Sequence, residues 1–249
     1  MHRLDRPIEG VQVPKPPRKI KDVGSLAKRM YNDALAPEQR RWLAKQLGVS
    51  VQSLESLRVG MGWDFNGTVY SSFPSRGADE TIIGITRRYA DGSKKTLAGT
   101  SNSGIFAPES WWKYEGPICI VEGASDVAAL ITHGFAALGR PSNVGGAGVI
   151  REYLHRRAKG RAVLVIGEQD FKPAKHGTWP CKGATCIGCA WCFPGLYGAI
   201  EVARKLHCES GMVPESWKDV RAWANGVEDF RAEFIEWLKR QGFNMEPTK

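Results

Sequence analysis

The sequence predicts an α/β protein in two parts: a parallel sheet with crossover helices, and before it a small helical and antiparallel β subdomain. From residue 117 onward, short apolar runs alternate with segments of helical periodicity, which is typical of a parallel, Rossmann-like sheet. Residues 62–107 instead contain short alternating segments separated by Asn66-Gly67 and Asp91-Gly92, dipeptides that favour tight hairpins. With 249 residues, 42% of them hydrophobic, the chain can bury a substantial core.

The N-terminal third begins with residues 1–24, where prolines stand among lysines and arginines without a hydrophobic period. This composition predicts a basic flexible arm. Residues 25–59 carry apolar side chains at helical intervals and predict three short helices. The stretch 46–57 has the spacing of a helix-turn-helix that enters a DNA groove, but packing of a small helical subdomain on its neighbour is the favoured interpretation.

The antiparallel part completes a subdomain that we place at residues 25–115. Four basic side chains lie around its second hairpin: Arg87, Arg88, Lys94 and Lys95. They are candidates for contacts with a phosphate backbone, and the alternative is that they are solvated strand faces.

Residues 116–249 form the predicted catalytic domain. Strands are expected at 118–121, 135–138 and 162–166, and the tail helix with Phe230, Phe234 and Trp237 is expected to pack in the core.

Carboxylates follow two of these strands: Glu122 and Asp126 after the first, Glu168 and Asp170 after the third. Ligands of open α/β sheets gather at the carboxyl ends of the strands, so the four side chains are expected in one crevice. Carboxylates that close repel one another unless a hard cation neutralises them. The pattern therefore predicts a site for Mg²⁺ or Mn²⁺.

The order of these motifs resembles the Toprim domain, which is shared by bacterial-type primases, topoisomerases and certain nucleases. The resemblance rests on an apolar strand followed by Glu122-Gly123, an Asp four residues after the Glu, a helix, and a later strand with an acidic pair. Upstream, Ser72-Phe73-Pro74 and residues 83–89 and 97–106 are similar to the strand-rich subdomain of primases, especially the plasmid- and phage-associated kind. Downstream, Lys218-Asp219-Val220 resembles the Lys-Asp pair of those enzymes.

The resemblance implies a DNA primase-type nucleotidyltransferase that synthesises short primers on single-stranded DNA during replication. It implies nucleoside triphosphates as substrates, Mg²⁺ or Mn²⁺ as cofactor, a replicative helicase as partner, and Glu122, Asp126, Glu168 and Asp170 as catalytic residues. Asp219 completes the acidic set, although an N-cap is its alternative role. Where the family has Asp-x-Asp, this chain has Glu168-Gln169-Asp170.

Two basic residues are further candidates for binding nucleotide or nucleic acid. Arg140 follows the second strand in a glycine-containing loop and offers a forked donor for phosphate, with a simple turn as the alternative. Lys218 is assigned by the resemblance.

A cysteine-rich insertion at 177–195 separates the third strand from its helix. Its four cysteines are Cys181, Cys186, Cys189 and Cys192. Four thiolates within so short a segment favour tetrahedral Zn²⁺, while the spacing of the last three also resembles iron–sulfur ligation. His176 is a possible substitute ligand, but a loop position is the favoured interpretation.

Charge and hydropathy narrow the class of protein. Thirty-five Lys and Arg against twenty-six Asp and Glu give a formal charge of +9, which favours a nucleic-acid or polyphosphate partner. No apolar run approaches the roughly 18 residues that cross a bilayer, so we expect a cytoplasmic protein without a membrane partner. Two other functions stay open: a Toprim nuclease or topoisomerase-like strand-breaking enzyme, and a non-catalytic nucleic-acid-binding replication subunit.

Overall fold

A computed structural model describes residues 19–114, 116–186 and 189–243. Residues 1–18, most of the predicted basic arm, lie outside the described residues. Three helices follow: α1 (Val23–Tyr31), α2 (Ala36–Leu47) and α3 (Val51–Ser56). Asp22 and Ser50 cap α1 and α3, since each side chain accepts a hydrogen bond from a backbone N–H of the first turn. The three predicted helices are confirmed.

The first sheet is antiparallel and contains β1 (Gly60–Trp63), β2 (Val69–Arg76), β3 (Ile82–Arg88) and β4 (Lys94–Thr96) in that order. Gly67 and Gly92 have φ of 76° and 82° in the loops that join β1 to β2 and β3 to β4. These are the left-handed conformations that the two dipeptides predict.

The second sheet is parallel, with strand order β6-β5-β7-β8. Its elements are β5 (Ile118–Glu122), α4 (Gly123–Thr132), β6 (Ala137–Arg140), α5 (Ala147–Arg157), β7 (Val163–Gly167), α6 (Pro194–Leu206) and β8 (Glu209–Met212), and α7 (Val220–Gly226) and α8 (Phe230–Arg240) follow. The predicted parallel sheet is confirmed. The sequence does not predict β8, because this edge strand has no apolar run of its own and is held by backbone pairing with β7.

The two sheets are joined directly. Phe106 and Gly139 exchange backbone hydrogen bonds of 2.9 and 2.8 Å, so the segment leaving the first sheet pairs with β6 of the second. On the other side, α3 packs on α4: Ser53 and Leu54 are buried, and the Ser50 N–H donates to Thr132 Oγ1 at 2.9 Å. The segment with helix-turn-helix spacing is therefore a packing element.

The tail helices complete the core. Phe230, Phe234 and Trp237 of α8 are buried together with Trp223 of α7 and Phe135, and the rings of Phe135 and Phe234 lie 4.7 Å apart. The predicted core role of the tail helix is confirmed. None of the helices in the described ranges combines the length and apolar character that crossing a membrane requires.

Candidate active site

A crevice of about 480 Å³ lies between the carboxyl ends of β5 and β7 and the β3–β4 edge of the first sheet. We call it the acidic crevice. Acidic and basic side chains share its walls: Glu122, Asp126, Glu168 and Asp219, and Arg88, Lys94, Lys95, Lys218 and Arg221. The two predicted acidic strand ends therefore do meet, and they meet opposite a basic hairpin.

The turn from β5 into α4 positions the first two carboxylates. Gly123 has φ of 78°, which lets the chain turn sharply directly after Glu122. Asp126 follows in the first turn of α4, is only 2% exposed, and accepts a hydrogen bond from the Arg221 N–H at 3.1 Å. Asp126 thus faces α7 and the crevice instead of capping its own helix.

The buried acids of the crevice raise one another's pKa values. Burial, followed by the charges of Asp219 and Glu168, raises the pKa of Asp126 well above its ordinary value. Burial and then the charges of Glu122 and Asp219 raise the pKa of Glu168 from 4.5 to about 7. Burial raises the pKa of Glu122, and Asp170 adds to this while Arg140 opposes it. Such a set of buried oxygen donors, whose pKa values are raised by burial and by one another's charges, fits a hard divalent cation.

Asp170 is placed differently from the other three predicted acids. It does not line the acidic crevice, and its Oδ1 accepts a hydrogen bond from the Gly195 N–H at 2.7 Å, at the start of α6. Its charge is nevertheless close enough to raise the pKa of Glu122. One carboxylate oxygen therefore ties the end of β7 to α6, a structural role that the sequence did not indicate.

Asp219 caps a helix and also lies in the wall of the crevice. Its Oδ1 accepts from the Ala222 N–H at 2.7 Å and caps α7, and its side chain also lines the crevice. The Gln169 N–H donates to the Lys218 carbonyl at 2.8 Å, and this bond holds the Lys218-Asp219 segment beside Glu168.

The basic candidates separate into two groups. Arg88 and Lys94 face the crevice, whereas Arg87 is on the other face of β3, with its guanidinium 5.6 Å from the Tyr70 ring and 5.8 Å from the Tyr89 ring. Lys95 lies at the edge of the crevice, but it is the β4 partner of Arg87 and its side chain is on the Arg87 face. Burial, followed by the charge of Arg221, lowers the pKa of Arg88. The hairpin thus directs two of its four predicted basic side chains, Arg88 and Lys94, toward the acids.

The predicted loop position of Arg140 is wrong. Arg140 ends β6 instead of lying in a loop, and it is fully buried. Its guanidinium donates to the carbonyl oxygens of Asn143 and, at 3.3 Å, Ile166. A guanidinium enclosed in this way holds the strand ends together, and its charge lowers the pKa of Glu122.

The insertion brings its four cysteines together around Cys192. The Cys192 Sγ lies 3.5 Å from the Sγ atoms of Cys181 and Cys186 and 3.4 Å from that of Cys189. His176 joins them, with Nδ1 at 3.8 Å from the Cys181 Sγ and 3.7 Å from the Cys192 Sγ. The predicted loop position of His176 is therefore incomplete: its imidazole lies in the thiol cluster, although no sequence spacing links it to the cysteines.

No protein-family model matches the amino-acid sequence, and no significant match occurs among curated proteins. Solved structures do match. The primase fragment of the bacteriophage T7 primase-helicase protein has 13% identity and a TM-score of 0.51 over 78% of this chain and 73% of that one. A DnaG primase catalytic domain bound to single-stranded DNA has 13% identity and a TM-score of 0.54 over 88% and 78%.

The zinc-binding and RNA polymerase domains of the Aquifex aeolicus primase are also similar, with 13% identity and a TM-score of 0.57 over 88% of this chain and 60% of that one. At these identities the likeness concerns the fold. The chain has the fold of a bacterial-type primase catalytic core: a parallel four-stranded sheet preceded by a separate antiparallel sheet.

Proposed function

We propose that this protein is a Toprim primase of the plasmid- and phage-associated kind, which joins nucleotides into short primers on single-stranded DNA. The observation that carries the proposal is the acidic crevice itself. Carboxylates from β5, from α4, from the residue after β7 and from the start of α7 converge there, opposite Arg88 and Lys94 of the β3–β4 hairpin. Nucleotidyl transfer needs this pairing, since cations must bind and phosphates must be held beside them.

The carboxylates divide the work by their surroundings. Glu122, Asp126 and Glu168 would hold Mg²⁺ or Mn²⁺, with Asp219 buried in the same wall and Asp170 outside the crevice, bonded to the start of α6. Bound there, the cation supplies charge neutralisation for the triphosphate and lowers the pKa of the attacking hydroxyl. Glu122, at the mouth of the strand-to-helix turn, is our candidate for the carboxylate nearest the reacting hydroxyl.

The basic residues of the crevice would bind the polyanions. Arg88 offers a planar forked donor that matches phosphate oxygens, and Lys94 and Lys218 supply compact charges on either side of the acids. The formal charge of +9, carried despite the acidic site, supports nucleic acid as the larger partner. A replicative helicase is the proposed protein partner, because a primase similar in fold belongs to a primase-helicase protein.

A strand-breaking enzyme is the rival from the same group of folds. It would use the same acids, and a topoisomerase would also need a nucleophilic tyrosine. Tyr70 is buried and Tyr89 packs beside it at 5.8 Å, and neither lines the acidic crevice. The basic hairpin over the crevice favours polymerisation.

Primer synthesis on single-stranded DNA with labelled ribonucleotides, deoxynucleotides and either cation tests the proposal. Asp126→Asn keeps an oxygen that can accept the Arg221 N–H but removes the charge, so product should fall on the order of 100-fold or more while circular dichroism is unchanged. Glu152→Gln, on the exposed face of α5, is the matched control. Unchanged synthesis by Asp126→Asn contradicts the site, and cleavage of a labelled strand without synthesis favours the rival.

A further inference from the structure

The cluster in the insertion has the dimensions of a tetrahedral zinc site. Bonds of about 2.3 Å to sulfur and about 2.0 Å to nitrogen place neighbouring ligand atoms about 3.5–3.8 Å apart. The Cys192 Sγ lies 3.5 Å from the Sγ atoms of Cys181 and Cys186 and 3.7 Å from the His176 Nδ1, all within that range. The ligand atoms of His176, Cys181, Cys186 and Cys192 all lie within 4.8 Å of one another.

Five candidate ligands surround a centre that takes four. The Cys189 backbone N–H donates to the Cys186 Sγ at 3.4 Å, which stabilises a thiolate on Cys186 and supports Cys186 as a ligand. The group of mutually close ligand atoms contains His176 in place of Cys189. The geometry therefore favours one imidazole and three thiolates, where the sequence predicted four thiolates.

The cluster is attached to the acidic crevice through two neighbouring segments. The Lys172 N–H donates to the Cys192 carbonyl at 2.8 Å, and the Phe171 and Phe193 rings stack with centroids 4.4 Å apart. Two or three residues further along these segments, the Gly195 N–H donates to the Asp170 Oδ1 at 2.7 Å. Residues 170–172 and 192–195 thus run together from the cluster to the edge of the crevice.

We propose that His176, Cys181, Cys186 and Cys192 bind one Zn²⁺, and that this ion holds Asp170 in position beside Glu168 at the edge of the crevice. The ion bridges ligands from both ends of the insertion, and the hydrogen-bonded segments 170–172 and 192–195 then fix the position of the chain after β7. Zinc has a positioning role here, outside the crevice. The ligand set stands without the proposed function, whereas the positioning role rests on it, because that role assumes that the acidic crevice binds a divalent cation.

Metal content tests the ligand set. Protein purified without chelator should contain about one zinc per chain and no iron, by elemental analysis. Cys192→Ser and His176→Ala should lose zinc, whereas Cys189→Ser should keep it. Cys208→Ser, a half-buried thiol outside the insertion, is the matched control. Wild-type protein without zinc, or with iron, overturns the metal site. Full zinc in His176→Ala together with loss in Cys189→Ser overturns the ligand set in favour of four cysteines.

Manganese binding, followed by electron paramagnetic resonance, tests the positioning role without an activity assay. Loss of zinc should weaken Mn²⁺ binding by about 10- to 100-fold, the effect typical of removing a group that supports a metal ligand. Dialysis of wild-type protein against a chelator should remove zinc and lower the affinity for Mn²⁺, and added zinc should restore that affinity. This test does not depend on the folding of Cys192→Ser.

The outcomes separate the two proposals. Unchanged Mn²⁺ affinity in zinc-free protein overturns the positioning role. If Mn²⁺ binding depends on zinc but no primer is made, the proposed function fails and the link between the two metal sites survives.

Discussion

Replacing Glu168 by Gln should stabilise the cation-free protein while removing its response to Mg²⁺. In the folded protein the Glu168 carboxyl is buried beside Glu122 and Asp219, and its pKa is raised from 4.5 to about 7. Ionising it at neutral pH therefore costs folding free energy. The difference between 4.5 and about 7, at about 1.4 kcal/mol per pKa unit, corresponds to about 3 kcal/mol. Glutamine has the same shape and no charge.

The effect has a defined pH dependence. Below pH 4.5 Glu168 is protonated in both the folded and the unfolded protein, and the wild type and Glu168→Gln should differ little. As the pH rises through 7, the unfolded chain releases the proton first, so the wild type loses stability that the variant keeps. The difference between them should open between pH 4.5 and 7 and reach up to about 3 kcal/mol at pH 8.

Urea unfolding followed by tryptophan fluorescence at pH 5 and pH 8, without added divalent cation, measures this difference. Chelator is omitted, since it would also strip the cysteine cluster. Added Mg²⁺ should stabilise the wild type at pH 8 more than at pH 5 and should leave Glu168→Gln nearly unchanged. Glu152→Gln is the matched control. A variant that is no more stable than the wild type at pH 8, or equally more stable at both pH values, refutes the reasoning.

Two further substitutions test other parts of the site. Arg88→Ala should weaken single-stranded DNA binding and lower by about one the slope of log affinity against log salt concentration. Arg87→Ala, on the opposite face of β3, should change neither. Titrations at several salt concentrations measure both, and equal losses in the two variants would contradict the assignment. Gly195→Ala would place a Cβ 2.3 Å from the Glu168 carbonyl oxygen, so it should cost about 1–3 kcal/mol in urea unfolding and weaken Mn²⁺ binding. Gly148→Ala in α5, whose Cβ would meet nothing within 4 Å, is its control and should be slightly stabilising.

The two acidic strand ends were predictable because their signals are local. An apolar run that stops at Glu122, and another that stops just before Glu168, each mark where a buried strand leaves the sheet. Parallel order then brings the ends to one edge, whatever the details of packing. The hairpins were predictable for the same reason, since Gly67 and Gly92 supply the backbone conformation that each turn needs.

The amino-acid sequence by itself thus determined most of the elements, the edge at which the acids meet and the presence of a thiol cluster. Tertiary structure alone decided which side chains face those sites. The fold of the insertion brings His176 to the cysteines. Contacts between segments far apart in the chain bring Asp219 to the crevice and bury Arg140 at the strand ends. Hydrophobic periodicity in the sequence predicts which face of a single helix or strand is buried. A site depends on contacts between several elements, such as the hydrogen bond from the Gln169 N–H to the Lys218 carbonyl, which positions Asp219 beside Glu168.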